Sequence, residues 1–416
     1  MQPMGTASFE AQMEALLPGA TFFYDSQSLH VIKSANVNLE MFFRTGKDLC
    51  SMRSTRYVSS HRPRFVLADS DRASAYAVWN DDSKNVDWVV VTTSLISSLV
   101  ELGQVVATYF SRSRTLGIEL PYVQPLLREL DSEEAIQLFG LSLTQLAFIF
   151  VVGHELGHHA CGHEVLYRKV DPASPCAAVD ERQVARQAAH SKRLPGRRSI
   201  EPDLDRREMD FQAMEMAADH CGVEVLILNV VKLMRRARTE GFGIAGNGVK
   251  ANNVMQGIFC DTRTSVFVAA SSLILAFVSF HAGEWDVSGM TNLKHPLPSV
   301  RAFAMIELIQ TIALPDDVAS DIASISLWGP LSHVAVPLAA AVFSMRIEDT
   351  GTRQFTRTKF RAWRLLGISR AALTPQLLSV YLTELRRRWS IQRQQCRPAW
   401  RYDEPGPIVD SAVARP

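Results

Sequence analysis

Residues 154–158 read His-Glu-Leu-Gly-His. On a helix, histidines four residues apart project from one face about one turn apart, so both imidazoles can reach a single metal ion from the same side. Glu155 is rotated by about 100° from His154 and can face a water on that metal rather than the metal itself. Two nitrogen ligands with a carboxylate base between them are the equipment for metal-assisted hydrolysis. The competing reading, two histidines satisfied inside a core helix, has to explain Gly157 between them. A residue without a Cβ lets another element come close to that face.

A catalytic zinc takes three protein ligands and keeps a fourth position open. His159 points roughly 100° away from His158 and is a poor partner. A three-histidine site of the extended H-E-x-x-H type would need Gly at 161 and His at 164. The chain has Cys161 and Glu164 there, which excludes that pattern. The better candidate is Glu215-Met216-Ala217-Ala218-Asp219, where Glu215 and Asp219 share a helix face. One carboxylate can ligate while the other accepts a hydrogen bond from a ligand imidazole and fixes its tautomer. Ala217 and Ala218 leave room for two helices to pack closely.

These residues need helices to carry them. Apolar periodicity predicts a long helix over 141–163 ending in the histidines, and a second over 206–238 carrying the carboxylates. Further helices are expected at 94–110, 263–281, 298–313, 331–345, 354–366 and 374–394. Runs rich in β-formers at 64–68, 75–79 and 88–93 predict a small sheet, with the polar cluster 80–85 as a hairpin turn. Residues 165–205 are polar and proline-broken and read as a long loop inserted between the two motifs. The expected fold is mainly α (α+β), with an N-terminal region over 1–60, a catalytic domain over 61–315 and a helical, basic region over 316–416.

The combination resembles the gluzincin peptidases, the zinc enzymes that include the HtpX heat-shock protease and the CAAX prenyl protease. The resemblance rests on His154-Glu155-x-x-His158 with His163 following, and on Glu215-x-x-Ala218-Asp219. It is supported by Ser74-Ala75-Tyr76-Ala77 before Val89-Val90-Val91-Thr92, and by His295-Pro296 with Arg301. It implies a zincin-like core, His154, His158 and Glu215 as ligands of one zinc, Glu155 as the general base, and Asp219 as the residue orienting a ligand. His295 and Arg301 are candidate donors to the oxyanion of a cleaved peptide, Arg301 equally a partner for a carboxylate. The run 88–93 is expected to be an edge strand that an extended peptide could join.

Composition narrows the remaining classes. The 416 residues carry a net charge of +1, which does not mark the whole chain as a polyanion binder. Six scattered cysteines without a C-x-x-C pair argue against a disulfide scaffold or a cysteine zinc site. Met1–Ala20 carries Glu10 and Glu14 and lacks the basic start and apolar run of a secretory signal, so a cytoplasmic protein is expected. The apolar run within 264–280 reads as a buried core helix, with membrane contact as the alternative. Across 353–401, twelve Lys/Arg meet one acid, Glu384. That segment is either a solvated basic face or a contact for nucleic acid or anionic membrane. The function expected is peptide hydrolysis by a zinc-activated water. The alternatives are a dedicated regulatory or phage-defence peptidase, and a zinc-bound regulatory module with little turnover.

Overall fold

A computed structural model describes residues 6–14, 16–31, 39–54, 63–79, 86–112, 123–164, 208–239, 242, 249–280, 298–311, 383–385 and 387–391. The loop at 165–205, the turn at 80–85, His295 and the helices expected at 331–345 and 354–366 lie outside the described residues. Within them the protein is mainly helical with one small mixed sheet, as an α+β reading requires.

The sheet is built from β1 (Thr21–Phe23), β2 (Arg64–Asp69), β3 (Ala75–Val78) and β4 (Trp88–Thr92), in the order β1-β2-β4-β3. β4 runs parallel to β2, with Phe65 opposite Val89, and antiparallel to β3, with Tyr76 opposite Val90. Side chains alternate between faces along a strand. Phe65, Leu67, Val89 and Val91 therefore enter the main helical core, while Val66, Tyr76, Trp88 and Val90 pack with Phe9 and Met13 of α1 (Thr6–Glu14). Cover on both faces is why β4 reads as a continuous apolar run rather than an alternating one. It also corrects the expectation of an edge strand at 88–93. Both edges of β4 are already paired, so no peptide can add there; β1 and β3 are the outer strands.

Two further contacts tie the described N-terminal elements to the rest of the fold. α2 (Leu39–Ser54) packs Phe42 against Phe148, ring centroids 5.1 Å apart, and β1 pairs with β2. β1 and α2 thus share one sheet and one core with β2, β4 and the helix carrying Phe148.

Thr92 ends β4 and caps α3 (Thr93–Ser111), its side chain accepting from the Leu95 amide. After the short α4 (Gln124–Glu129), Ser132 caps α5 (Glu133–Ala160) in the same way, with Glu133 and Glu134 in the favourable first turn. α5 stops at Cys161, and Gly162 takes φ +63°. That left-handed residue costs glycine little and turns the chain back on itself. α6 (Glu208–Thr239) lies along α5; α7 (Val249–Phe259), α8 (Thr262–Phe280) and α9 (Pro298–Thr311) complete the bundle.

By length and composition α5 and α8 are the two described helices apolar enough to cross a membrane. In the fold, 67% of the apolar window in α5 and 94% of that in α8 is buried. Ser271, Ser272 and Ser279 of α8 donate their hydroxyls to backbone carbonyls one turn back, so their burial leaves no polar group unmatched.

Candidate metal centre

The site forms where α5 and α6 touch. A Cβ built on Gly157 would stand 2.8 Å from the Ala218 carbonyl oxygen and 2.8 Å from Cys221 Cβ. One built on Gly153 would meet Gly222 Cα at 3.1 Å. Contact is therefore backbone to backbone, through Gly153 and Gly157 on one helix and Ala218 and Gly222 on the other. Only residues this small allow it. The approach brings the carboxylates of α6 over the histidine face of α5.

Three side chains converge there. His154 Nε2 and His158 Nε2 are 3.1 Å apart, and the Glu215 carboxylate reaches the first with Oε2 at 3.4 Å and the second with Oε1 at 3.5 Å. Four-coordinate zinc with bonds near 2.0–2.1 Å sets its ligand atoms about 3.3–3.4 Å apart. The distance between the imidazole nitrogens and the approach of each to the Glu215 carboxylate lie near that value, and one atom from each residue can be chosen with all three within 4.8 Å of one another. All three residues are buried, with exposures of 1% or less. With both Nε2 atoms bare, two imidazole nitrogens and a carboxylate facing one another in a dry site would repel, and a divalent cation at the focus would convert that repulsion into bonding. The group His154, His158 and Glu215 could hold a metal ion.

Each ligand has a backing partner. His154 Nδ1 lies 2.9 Å from Asp219 Oδ1. Arg301, on α9, in turn donates to Asp219 through Nε at 2.8 Å and Nη2 at 2.7 Å. Its guanidinium also lies 3.7 Å from Glu215 and over the Phe277 ring at 5.0 Å. Arg301 is 0% exposed, so the fork that grips Asp219 is wholly dry. Of the two roles open to it from the sequence, the carboxylate pairing is the one the fold displays. His158 is backed differently: its Nδ1 lies 2.8 Å from Nδ1 of His163, just past the Gly162 turn.

The electrostatics follow from this layout. Burial favours a neutral His154, yet hydrogen bonds to Asp219 and Glu215 hold its pKa well above the ordinary value in the metal-free fold. Burial presses His158 well below its ordinary value, with Glu215 opposing, and takes His163 down to about 3. Burial alone would raise Asp219; the Arg301 charge and the His154 contact outweigh it and hold the carboxyl below its usual range.

Glu155, beside His154 on α5, is 2% exposed. His159 is no ligand: its Nε2 bonds the Trp88 carbonyl at 3.1 Å and its ring meets Trp79 edge to face, tying α5 to the sheet. Cys161 and Cys221 are thiols outside any disulfide, in weak hydrogen-bond contact at 4.0 Å beside the helix seam.

His163 and Arg301 complete the centre in ways the sequence does not specify. For Arg301 the position is legible and the partner is not. For His163 the signal is Gly162, a turn residue placed to return the next side chain to the helix end. Part of the basic segment also docks here. Arg388 pairs with Asp210 of α6 and with Glu384, Arg387 pairs with Glu384, and Trp389 meets His220 edge to face. These two arginines are therefore engaged by acids. Compared with known proteins, the chain matches no family model, no curated protein and no solved structure.

Proposed function

We propose that the chain is a zinc-dependent endopeptidase with a zincin-like core of the gluzincin kind. The observation that carries this is the convergence of His154, His158 and Glu215 in one buried cluster, with Glu155 adjoining on the same helix as the two histidines. Two imidazoles and a carboxylate suit zinc by ligand type and number. Zinc held there would act as a Lewis acid, bringing a water's pKa towards neutrality and polarising a scissile carbonyl.

The chain's own residues supply the rest. In holding zinc, His154 and His158 would present bare Nε2 atoms, and Asp219 would keep the hydrogen of His154 on Nδ1. Arg301 neutralises Asp219, so the site does not accumulate two uncompensated carboxylates in a low-dielectric interior. Glu155 holds the proton removed from the attacking water and returns it to the leaving nitrogen. Extended polypeptide is the proposed substrate class, because an amide needs both an activated water and a protonated leaving group.

Replacing Glu155 by Gln removes the base while preserving shape. Zinc content by elemental analysis should stay at one ion per chain, and cleavage of a fluorescently labelled unfolded protein should fall by about 10²–10⁴-fold. Undiminished cleavage by Glu155→Gln would overturn the assignment of the base. Absence of zinc from the wild-type chain would overturn the centre itself.

A further inference from the structure

We propose that His163 is a positioning residue of the metal centre, holding His158 in its ligating tautomer by accepting a hydrogen bond from its Nδ1. The inference rests on the metal-site reading above. Both rings are 0% exposed, and their Nδ1 atoms are 2.8 Å apart with ring planes at 70°. A neutral imidazole has one N–H and one bare nitrogen, so only one of two facing nitrogens can carry the hydrogen. The other nitrogen of His158, Nε2, faces His154 and Glu215 and must be bare to ligate. Its hydrogen is therefore on Nδ1, and His163 Nδ1 is the acceptor.

With Nδ1 bare, the hydrogen of His163 sits on Nε2, a buried atom with no hydrogen-bond partner among the described residues. Burying an unmatched polar atom is unfavourable. A leucine would fill the volume without that penalty, so packing alone does not account for an imidazole here. What the imidazole adds is an acceptor aimed at a ligand. Gly162 makes the aim possible, since its φ of +63° reverses the chain directly before His163. The two ligand histidines are thus backed unequally. His154 leans on a carboxylate clamped by arginine, and His158 on a neutral ring, which orients it without adding negative charge to the centre.

The test compares His163→Leu, which deletes the acceptor, with His163→Asn, whose Oδ1 occupies nearly the same place as Nδ1. Zinc affinity is read by competition with a chromophoric chelator, and the geometry by the visible absorption of the cobalt-loaded protein. His163→Leu should bind zinc about 10–100-fold more weakly and shift the cobalt bands. His163→Asn should restore the bands and stay within about threefold of wild type. The proposal is overturned if folded His163→Leu binds zinc as tightly as wild type, or if Asn loses as much as Leu. Should His163→Leu not fold, nitrogen NMR of zinc-loaded wild type with labelled histidine decides: the Nε2–H form of His163 supports the proposal and the Nδ1–H form overturns it. Failure of wild type to bind zinc would remove the metal-site reading, a result distinct from failure of the His163 variants alone.

Discussion

In the metal-free fold His154 stands between two carboxylates, with Asp219 at 2.9 Å from Nδ1 and Glu215 at 3.4 Å from Nε2. They hold its pKa well above the ordinary value against the opposing effect of burial. A histidine raised in this way stabilises the metal-free fold fully below its unfolded value of about 6.5. That contribution is lost as pH rises through the raised value. Ligation requires a bare Nε2, so at neutral pH the incoming ion must displace a proton. Affinity should therefore weaken on acidification, by about tenfold per pH unit for one competing proton. Calorimetric titration with zinc at pH 7, in two buffers of different ionisation enthalpy, should show about one proton released per ion. Identical heats in the two buffers would contradict the charged state assigned to His154.

At the scale of elements, the centre depends on how near α5 and α6 lie. Gly157→Ala would set a methyl 2.8 Å from the Ala218 carbonyl oxygen, a backbone atom that cannot rotate away. The helices must part, and His154 and His158 move from Glu215 together. The substitution is expected to reduce stability by about 1–3 kcal/mol and zinc affinity by at least about tenfold. Chemical denaturation and chelator competition would measure the two effects, and a variant of full affinity would show that the seam does not set the ligand spacing. This seam is largely readable from the sequence, because Gly157 and Ala217-Ala218 stand inside the two motifs. The sheet is readable only in part. β4 announces itself by Trp88 and three valines, but its interior place depends on pairing with β2, whose partner cannot be read from local propensity. β1 is three residues long and too short for a periodic signal. α2 escapes a reading by pattern because Gly46 and its charges dilute the apolar face made by Phe42, Phe43 and Leu49. Arg301 carries no local mark of its partner, since the bond to Asp219 spans 82 residues.

Across the whole molecule, one core joins segments from both halves of the chain. Phe42 of α2 rests on Phe148 of α5, and Leu385, 1% exposed, belongs to the same core. Phe42→Ala should destabilise the entire described fold by about 3–5 kcal/mol. It should do so in one transition, since it opens a cavity beneath α5. An early, separate transition that leaves zinc binding intact would mean that the N-terminal helices fold on their own.

The clamp between Arg301 and Asp219 has a consequence in time. Synthesis proceeds from the N-terminus, so His154, His158 and Glu215 all exist before Arg301 has been added. From Asp219 to Arg301, 82 positions further on, the emerging chain has Asp219 without the cation that balances it. The centre reaches its final charge balance only once α9 has been made and has docked against α6. A polypeptide interrupted before that point carries every coordinating group and still lacks a finished site.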